Sequence, residues 1–385
     1  MSRSGRGLFC VAAVSLIAFA IASGTQARPS SSLPPIRIAV EAPLSGSQSS
    51  NGLDMLRGVQ LAVREVNAGD GVLGRRIQII RADDKGDQAN AKRVARRVIK
   101  KKAVAVIGPY NSSVGIVNLP IYLKNRIVPV HLTSSDDTRG EGVTVQPKNS
   151  QIAPVEEAYV RSTGAKKVVM LVDETPNGAF TIGMADRLQN RLVKDGVTIT
   201  RISLKELTDN VEPTYYQSKV SEALASKPDL IYVSTYYPEG AKIAEALATA
   251  GSSPKCLMGL ANVDPAFSAT IPLAASQRCL FSGVPAAPQL PSAKSFVRRY
   301  RKAFDKEPGV WGVFTYDSAK ILFRAIEKAG ATKFGRVQRK ISRTRGYRGQ
   351  TGRTSIDPST GYREQLPFLN ILRVNDKKVF VIANQ

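Results

Sequence analysis

The sequence predicts an α/β fold with two lobes, each built on a doubly wound parallel sheet. Short apolar runs rich in β-branched residues alternate with amphipathic helical segments, and this alternation occurs twice in succession along the chain. A length of 385 residues is enough for two domains, and a hydrophobic content of 43% supplies material for two cores. Small ligands favour the interface between two such domains, so the expected binding site is a cleft between the lobes.

The first alternating run ends near residue 147. Each predicted strand is a short apolar run bounded by turn residues, and the first predicted helix has apolar side chains at helical spacing. The predicted strands are residues 36–40, 77–80, 103–107 and 127–130, and the helices that alternate with them are residues 52–67, 88–101 and 113–124. This order is typical of a parallel sheet with helices on both faces.

The second run repeats this alternation without detectable sequence similarity to the first. Helices are predicted at 151–163, 178–195, 213–226 and 239–250, and strands at 167–172, 197–204, 230–234, 256–259 and 279–284. Two helices at 292–304 and 311–329 and a basic amphipathic piece at 333–343 follow. The end of the chain is β-like at 354–356, 368–374 and 378–382, with a hairpin turn at Asn375 and Asp376.

The first 27 residues have the composition of a signal peptide. Arg3 and Arg6 form a basic start, and residues 8–21 are an apolar run too short for a comfortable membrane span. Cleavage fits after Ala27, in a small-residue context, and also after Ala22. The sequence therefore predicts an exported, periplasmic protein whose signal peptide is removed, followed by a Pro/Ser linker at 28–35.

The chain is strongly basic, with a formal net charge of +24, which removal of Arg3 and Arg6 lowers by two. The charge is spread along most of the sequence, with only modest runs at 100–102 and 336–348. A solvated basic surface is the favoured interpretation, and a polyanionic partner is the alternative. No nucleic-acid partner is expected.

The sequence contains no recognisable set of catalytic residues. His131 is the single histidine, which excludes Ser–His–Asp triads and His-rich metal sites. A structural or wall-lining role is expected for it, and contact with a ligand is the alternative. The GxGxxG string at 69–74 follows a predicted helix and precedes a strand, the reverse of a dinucleotide fingerprint. We therefore predict a protein that is not an enzyme and that has no cofactor and no metal.

Two predicted strands end in residues suited to an anionic group. The strand at 103–107 leads into Asn111-Ser112-Ser113 at the start of a helix, and the strand at 127–130 leads into Thr133-Ser134-Ser135. Backbone N–H groups at a helix start have no intrahelical acceptor and carry partial positive charge. Because ligands of open α/β sheets lie outside the carboxyl ends of strands, these two segments predict a site for a carboxylate.

Two features leave alternatives open. Cys256 and Cys279 each begin a predicted strand, so either a disulfide or two buried thiols fits the sequence. Trp311, the single tryptophan, precedes a helix and suits either a core position or a pocket wall.

Several stretches together resemble the type I periplasmic solute-binding proteins of branched-chain amino acid ABC importers, the Leu/Ile/Val-binding family. The resemblance covers about residues 36–385, and the sequences that carry it are IRIAVEAPLSGSQSSNGLDMLRGVQLAVREVNAGDGVLGRRI, VAVIGPYNSSV, IVPVHLTSS, PDLIYVSTYYPEG, FTYDSAKILFRAI and TGRTSIDPSTG. It implies two lobes joined by a three-crossover hinge, with residues 36–147 and 285–365 in lobe 1 and residues 148–284 and 366–385 in lobe 2.

The resemblance also implies roles for single residues. Ser112, Thr133 and Ser135 match positions that hold a ligand carboxylate, with Asn111 beside them, while Tyr236 and Trp311 match aromatic positions that contact the ligand. The positions that would hold an ammonium group depart from the family, because Ala261 and Gln151 stand where acids are expected and Asn177 stands where a tyrosine is expected. We hypothesise that the ligand has a carboxylate but no standard α-ammonium group. The alternative is a counter-charge from Asp173, Glu174, Glu239 or Asp264, which leaves amino acids and amides open as ligands.

The function that the resemblance implies is capture of an amino acid or a related small carboxylate by hinge closure, in partnership with an inner-membrane ABC permease. A monomer is expected. The alternatives are a ligand-sensing module for a membrane receptor, which would use the same cleft, and an exported polyanion-binding protein.

Overall fold

The computed structural model describes residues 33–207, 211–251 and 254–383. The predicted signal peptide at 1–27 and most of the linker at 28–35 lie outside these residues. The strands are β1 (Ile36–Ala42), β2 (Ile77–Asp83), β3 (Ala105–Ile107), β4 (Val128–Val130), β5 (Lys167–Asp173), β6 (Thr198–Leu204), β7 (Leu230–Ser234), β8 (Lys255–Met258), β9 (Leu280–Gly283), β10 (Tyr347–Gly349), β11 (Gly352–Thr354), β12 (Asn370–Val374) and β13 (Phe380–Ile382).

The helices agree with the predicted ones to within a few residues at each end. They are α1 (Ser49–Ala68), α2 (Gln88–Lys100), α3 (Ser112–Lys124), α4 (Asn149–Ser162), α5 (Ala179–Leu192), α6 (Pro213–Ala225), α7 (Glu239–Thr249), α8 (Pro265–Thr270), α9 (Leu273–Ser276), α10 (Lys294–Phe304), α11 (Trp311–Ala329) and α12 (Phe334–Ser342). None of the helices in the described part of the chain combines the length and the apolar character needed to cross a bilayer.

The first sheet is parallel and has the strand order β2-β1-β3-β4. The chain moves outward from β1 to β2 and then crosses back to β3, so the order reverses between β1 and β3. Helices α11 and α12, which come much later in the sequence, return to this sheet and contact β3 and β4, and α11 also packs along α1. We call the elements on this sheet the first lobe.

The second sheet has seven strands in the order β13-β12-β9-β8-β7-β5-β6. The five strands from β5 to β9 are parallel, and their order reverses between β5 and β7. The C-terminal strands β12 and β13 add to the β9 edge in antiparallel orientation, so this sheet is mixed rather than purely parallel. We call the elements on it the second lobe.

The predicted fold class is confirmed, with differences near the C-terminus. A hairpin of β10 and β11 is present where a single strand was predicted at 354–356. In this hairpin Tyr347 pairs with Thr354 across a short turn. The hairpin between β12 and β13 spans Asn375 to Val379, and the Asn375 side chain accepts hydrogen bonds from the amides of Lys377 and Val379.

Cys256 and Cys279 form a disulfide, which settles the alternative that the sequence left open. The bond links the start of β8 to the residue before β9, two neighbouring parallel strands of the second lobe. Both cysteines are buried. The disulfide therefore joins the two ends of the connection between β8 and β9, which contains the short helices α8 and α9.

The chain passes between the two sheets three times, after β4, after β9 and before β12. We propose the lobe boundaries implied by the resemblance, near residues 147, 284 and 365. Between β11 and β12, the buried Arg363 donates to the carbonyls of Thr351 (2.6 Å) and Arg353 (3.0 Å). The third crossover is thus anchored to the first lobe before the chain enters the second sheet.

Candidate functional site

The points at which strand order reverses in the two sheets face each other. In open α/β sheets, the loops on either side of such a point leave a crevice at the carboxyl ends of the strands. Tyr110 follows β3 in the first lobe and Tyr236 follows β7 in the second, and their ring centroids are 6.5 Å apart in an edge-to-face arrangement. The two crevices therefore form one site between the lobes.

In the first lobe, the two segments predicted to hold a carboxylate lie together. The Ser135 N–H donates to Ser112 Oγ (3.1 Å), which joins the loop after β4 to the start of α3. This approach requires glycine at position 115, because a Cβ atom there would lie 2.4 Å from Cγ2 of Thr133. The sequence thus places a helix N-terminus directly against the loop that carries the hydroxyl groups.

The second lobe contributes aromatic and small apolar side chains. Tyr236 packs against Phe180, at the start of α5, with ring centroids 5.8 Å apart. The Tyr237 N–H donates to the Ala261 carbonyl (3.3 Å), which brings the loop after β8 alongside the loop after β7. Ala261 thereby reaches the site, and its methyl group leaves room where a longer side chain would fill the space.

Between the lobes these side chains line a small, partly open cavity, in which the space not filled by atoms is about 230 Å³ and includes space open to solvent. Trp311 closes one side, with its ring centroid 5.5 Å from that of Tyr110. The lining combines aromatic walls with a few hydroxyl and amide groups and contains no charged side chain; it consists of Tyr110, Ser112, Leu132, Ser134, Gln146, Phe180, Tyr236, Leu260, Ala261 and Trp311. Such a site suits a small, largely apolar ligand held by a few directed hydrogen bonds.

The hydroxyl groups of the first lobe differ in their availability. Ser112 Oγ accepts from Ser135 and keeps its own proton free to donate into the cavity. Ser134 also lines the cavity, but its hydroxyl donates to the Pro147 carbonyl (2.7 Å). Ser113 Oγ is buried without a hydrogen-bond partner and lies outside the cavity lining.

Thr133 and Ser135 direct their side chains away from the cavity. The Thr133 hydroxyl lies 2.8 Å from Nδ1 of His131 and 2.7 Å from the Thr138 hydroxyl. Ser135 Oγ donates to Asp137 (2.9 Å). His131 is buried in this polar cluster rather than in the cavity wall, and burial lowers its pKa well below the usual value. Any contact of this loop with a ligand must therefore come chiefly from its backbone.

Asn111 and Asn177 lie at the edge of the site. Asn111 donates to the Gln48 side chain (2.9 Å) in the first lobe. Asn177 accepts from the Gln88 N–H (2.9 Å), a bond that joins the lobes, and it lines a wider groove open to solvent. Gln151 is at the start of α4, where its side chain accepts from the Lys148 N–H and donates to the Arg363 carbonyl, so it is held away from the cavity.

Two acidic side chains lie near the cavity but outside its lining. Asp264 accepts from Ser50 (2.7 Å) and from the Ala266 N–H, and Asp173 accepts from Thr175. Burial raises the pKa of both carboxyl groups. Their negative charges add to the effect of burial on the neighbouring tyrosines, so the pKa values of Tyr110 and Tyr236 are raised and both phenols are protonated at neutral pH.

Half of the cavity lining was not identified from the sequence: Tyr110, Leu132, Gln146, Phe180 and Leu260. Tyr110 could have been predicted as a site residue, because it directly follows the Gly108-Pro109 pair that ends a predicted strand. Gln146 gave no such signal, since it precedes Pro147 in a loop. Its side-chain N–H group donates to the Leu132 carbonyl and to Ser134 Oγ, and its buried Oε1 has no hydrogen-bond partner.

No group of three or more histidine, cysteine or acidic side chains suited to a metal ion occurs in the ranges that the structure describes. The cavity likewise brings together no nucleophile with a base. The arrangement is suited to binding.

The chain is similar in sequence and fold to known proteins. The sequence profile of the periplasmic binding protein family matches residues 35–377. The Leu/Ile/Val-binding protein BraC3 of Rhizobium johnstonii is 26% identical over 305 residues, which are 77% of this chain and 80% of that protein.

Solved structures share the fold. A leucine binding protein from Thermotoga maritima has a TM-score of 0.78 at 24% identity, covering 90% of this chain and 97% of that chain. A solute binding protein of an ABC transporter from R. palustris, in complex with 4-hydroxybenzoate, has a TM-score of 0.78 at 18% identity, covering 91% and 96%.

Proposed function

The chain belongs to the periplasmic binding protein family, and on that premise we propose that it is the solute-binding component of an ABC importer. The predicted resemblance to the type I binding proteins of branched-chain amino acid importers is confirmed by the family profile and by the relatives. The proposed ligand is an amino acid or a related small carboxylate, captured between the lobes by hinge closure.

One observation carries the proposal: the cavity lies between the two strand-reversal points and has a hydroxyl donor and a helix N-terminus on one side and aromatic walls on the other. The donors suit a carboxylate, and the aromatic walls suit an apolar side chain or ring. The related proteins bind ligands of both kinds, since one is named for leucine and another contains 4-hydroxybenzoate.

Partner and location follow from the same proposal. The closed lobes present a continuous surface to an inner-membrane permease, and the signal peptide directs the chain to the periplasm. We propose that the protein is a monomer.

Isothermal titration calorimetry of residues 28–385 with leucine, phenylalanine and 4-hydroxybenzoate tests the proposal. At least one should bind with one-to-one stoichiometry. Ser112→Ala removes a hydroxyl that faces the cavity, so it should weaken binding by about 1.5–3 kcal/mol, the usual contribution of a hydrogen bond to a charged group.

Two controls make the test specific. Ser221→Ala removes an exposed hydroxyl that bonds within α6 (2.9 Å) and should leave affinity unchanged. Thr133→Ala removes a hydroxyl that faces His131, so its effect on affinity should be smaller than that of Ser112→Ala. No binding of any small acid, amino acid or amide in a wider thermal-shift screen would contradict the proposal.

A further inference from the structure

A buried lysine lies behind the loop that faces the cavity. The Lys148 side chain is fully buried, and its Nζ donates to the carbonyls of Thr133 (3.0 Å) and Ser135 (2.5 Å) and to the Thr138 hydroxyl (2.7 Å). The Tyr362 ring covers it, with the ring centroid 4.8 Å from Nζ. Within the described ranges no carboxylate forms an ion pair with this ammonium group: its hydrogen bonds are to neutral groups, and Asp136 and Asp137 act on its charge from a distance.

Lys148 and its neighbour fix the direction of three consecutive peptide carbonyls. The Asn149 N–H donates to the Ser134 carbonyl (2.8 Å), so the carbonyls of residues 133–135 all point toward Lys148 and Asn149. In a trans peptide the N–H points opposite to the carbonyl, so the amides of residues 134–136 point away from Lys148. The Ser135 amide donates to Ser112 Oγ, a group in the cavity lining, and Ser134 itself lines the cavity, so the amides of Ser134 and Ser135 lie on the cavity side.

The charge balance of the site has a consequence for the ligand. The cavity lining contains no charged side chain, while a buried cation lies directly behind one wall. A buried charge without a counter-charge is costly. A ligand with one negative charge compensates Lys148 across the intervening peptide groups. A zwitterion adds an ammonium group, and the nearby acids Asp173 and Asp264 lie outside the lining, already accept hydrogen bonds, and have pKa values raised by burial.

We propose that Lys148 is a positioning residue that makes the cavity selective for small monocarboxylates with a net negative charge. It orients the Ser134 amide toward the ligand carboxylate, holds the Ser135 amide against Ser112 Oγ, and balances the ligand's charge. The inference rests on the proposed function and narrows its substrate class. The four aromatic rings around the cavity further favour a flat, ring-containing acid over an aliphatic one.

The protonation of Lys148 gives an independent measurement. Burial lowers its pKa to about 7, and Asp136 and Asp137 oppose this shift. The other ionisable groups around it are His131, the Tyr362 phenol and Arg187, which pairs with Asp136 (2.8 Å). An anion bound nearby favours the protonated lysine. Above pH 7 binding must therefore take up a proton, and affinity for an anion falls as pH rises.

Calorimetry with 4-hydroxybenzoate, its neutral analogue 4-hydroxybenzamide and leucine tests this inference. The unchanged protein at pH 6 should bind the acid at least tenfold more tightly than the amide or leucine. Lys148→Met should reduce the preference for acid over amide at least tenfold and change affinity for the amide less than threefold. Lys148→Arg should restore much of the preference, and Lys166→Met, at an exposed lysine, should have no effect.

The unchanged protein supplies a second readout that does not depend on the variant folding. Its affinity for 4-hydroxybenzoate should fall at least fivefold between pH 6 and pH 8.5, with proton uptake visible as a dependence of the heat on the buffer, while affinity for the amide stays constant. Tighter binding of leucine than of the acid, or an acid preference unchanged in Lys148→Met, would overturn the inference and leave the proposed function intact. Failure of all small solutes to bind would overturn both.

Discussion

Single residues at the site take their roles from their neighbours. Ser112, Ser134 and Thr133 are chemically similar, yet one hydroxyl faces the cavity with a free proton, one is held by a backbone carbonyl, and one bonds to a buried imidazole. Sequence alone places all three at strand ends. It does not give the side-chain direction, which depends on packing against His131, Thr138 and Lys148.

Another buried ionisable residue, Glu156, predicts a pH dependence of stability. It lies in α4 and accepts from Tyr232 (2.9 Å) and Ser282 (2.5 Å), and burial raises its pKa from 4.5 to about 7. Between these pH values the unfolded chain loses this proton while the folded protein keeps it. The contribution of Glu156 therefore lowers the free energy of unfolding progressively as pH rises from 4.5 to 7, by about 3 kcal/mol in all. Above pH 7 this loss stays constant.

Glu156→Gln removes this dependence while keeping an acceptor oxygen. The variant should match the unchanged protein near pH 4.5 and become more stable than it above pH 7, as measured by thermal unfolding across that range. Glu222→Gln, on the exposed face of α6, is the matched control and should show no such divergence. Equal pH profiles for the Glu156→Gln variant and the unchanged protein would show that Glu156 ionises normally.

At the scale of elements, the strand ends and the hairpin of β12 and β13 were predictable, and the hairpin of β10 and β11 was not. Strands β1, β3, β5 and β7 are apolar runs that end in turn residues, so local sequence locates them. The strands β10 and β11 are three residues each and contain Arg348 and Arg353, so they have no apolar alternation to detect. Their pairing depends on the buried Asp317, which accepts from the backbone N–H groups of Gln350 and Thr351 in the turn.

The disulfide between β8 and β9 gives a prediction at this scale. It closes a segment with a sequence separation of 23 residues, for which the loss of unfolded-state entropy corresponds to about 3 kcal/mol of stability. Adding a reductant should lower the urea midpoint accordingly. A variant with both Cys256→Ala and Cys279→Ala should be insensitive to reductant. Two free thiols in the unreduced, denatured form of residues 28–385 would contradict the pairing.

At the scale of the whole molecule, the structure shows the two lobes in contact across the cleft. The Ser50 hydroxyl, on α1, donates to Asp264 (2.7 Å), which caps α8 in the second lobe. The Gln88 N–H donates to Asn177 across the outer groove. These bonds form only when the lobes are close, so they stabilise the closed arrangement in addition to the contacts a ligand makes.

Ser50→Ala tests this contribution. Loss of the bond should destabilise the closed form by about 1 kcal/mol, which weakens ligand binding about fivefold. Small-angle X-ray scattering should also show a larger radius of gyration without ligand. Ser49→Ala, one residue earlier on the same helix, is the control and should bind as the unchanged protein does. An unaltered affinity for Ser50→Ala would mean that the bond has no part in closure.

The sequence by itself determined the two α/β runs and the strand ends that carry Ser112 and Tyr236, because these follow from local periodicity. It also excluded a Ser–His–Asp triad built on His131, the single histidine, because this follows from residue type. Tertiary structure decided which side chains line the cavity. Gln146 and Phe180 reach the cavity only because separate loops converge between two sheets. Gln151 lies outside the cavity lining because its side-chain oxygen accepts from the Lys148 N–H at the start of α4. The role of Lys148 also depends on that convergence, since the direction of a peptide carbonyl and the burial of a charge are set by distant contacts that no local pattern encodes.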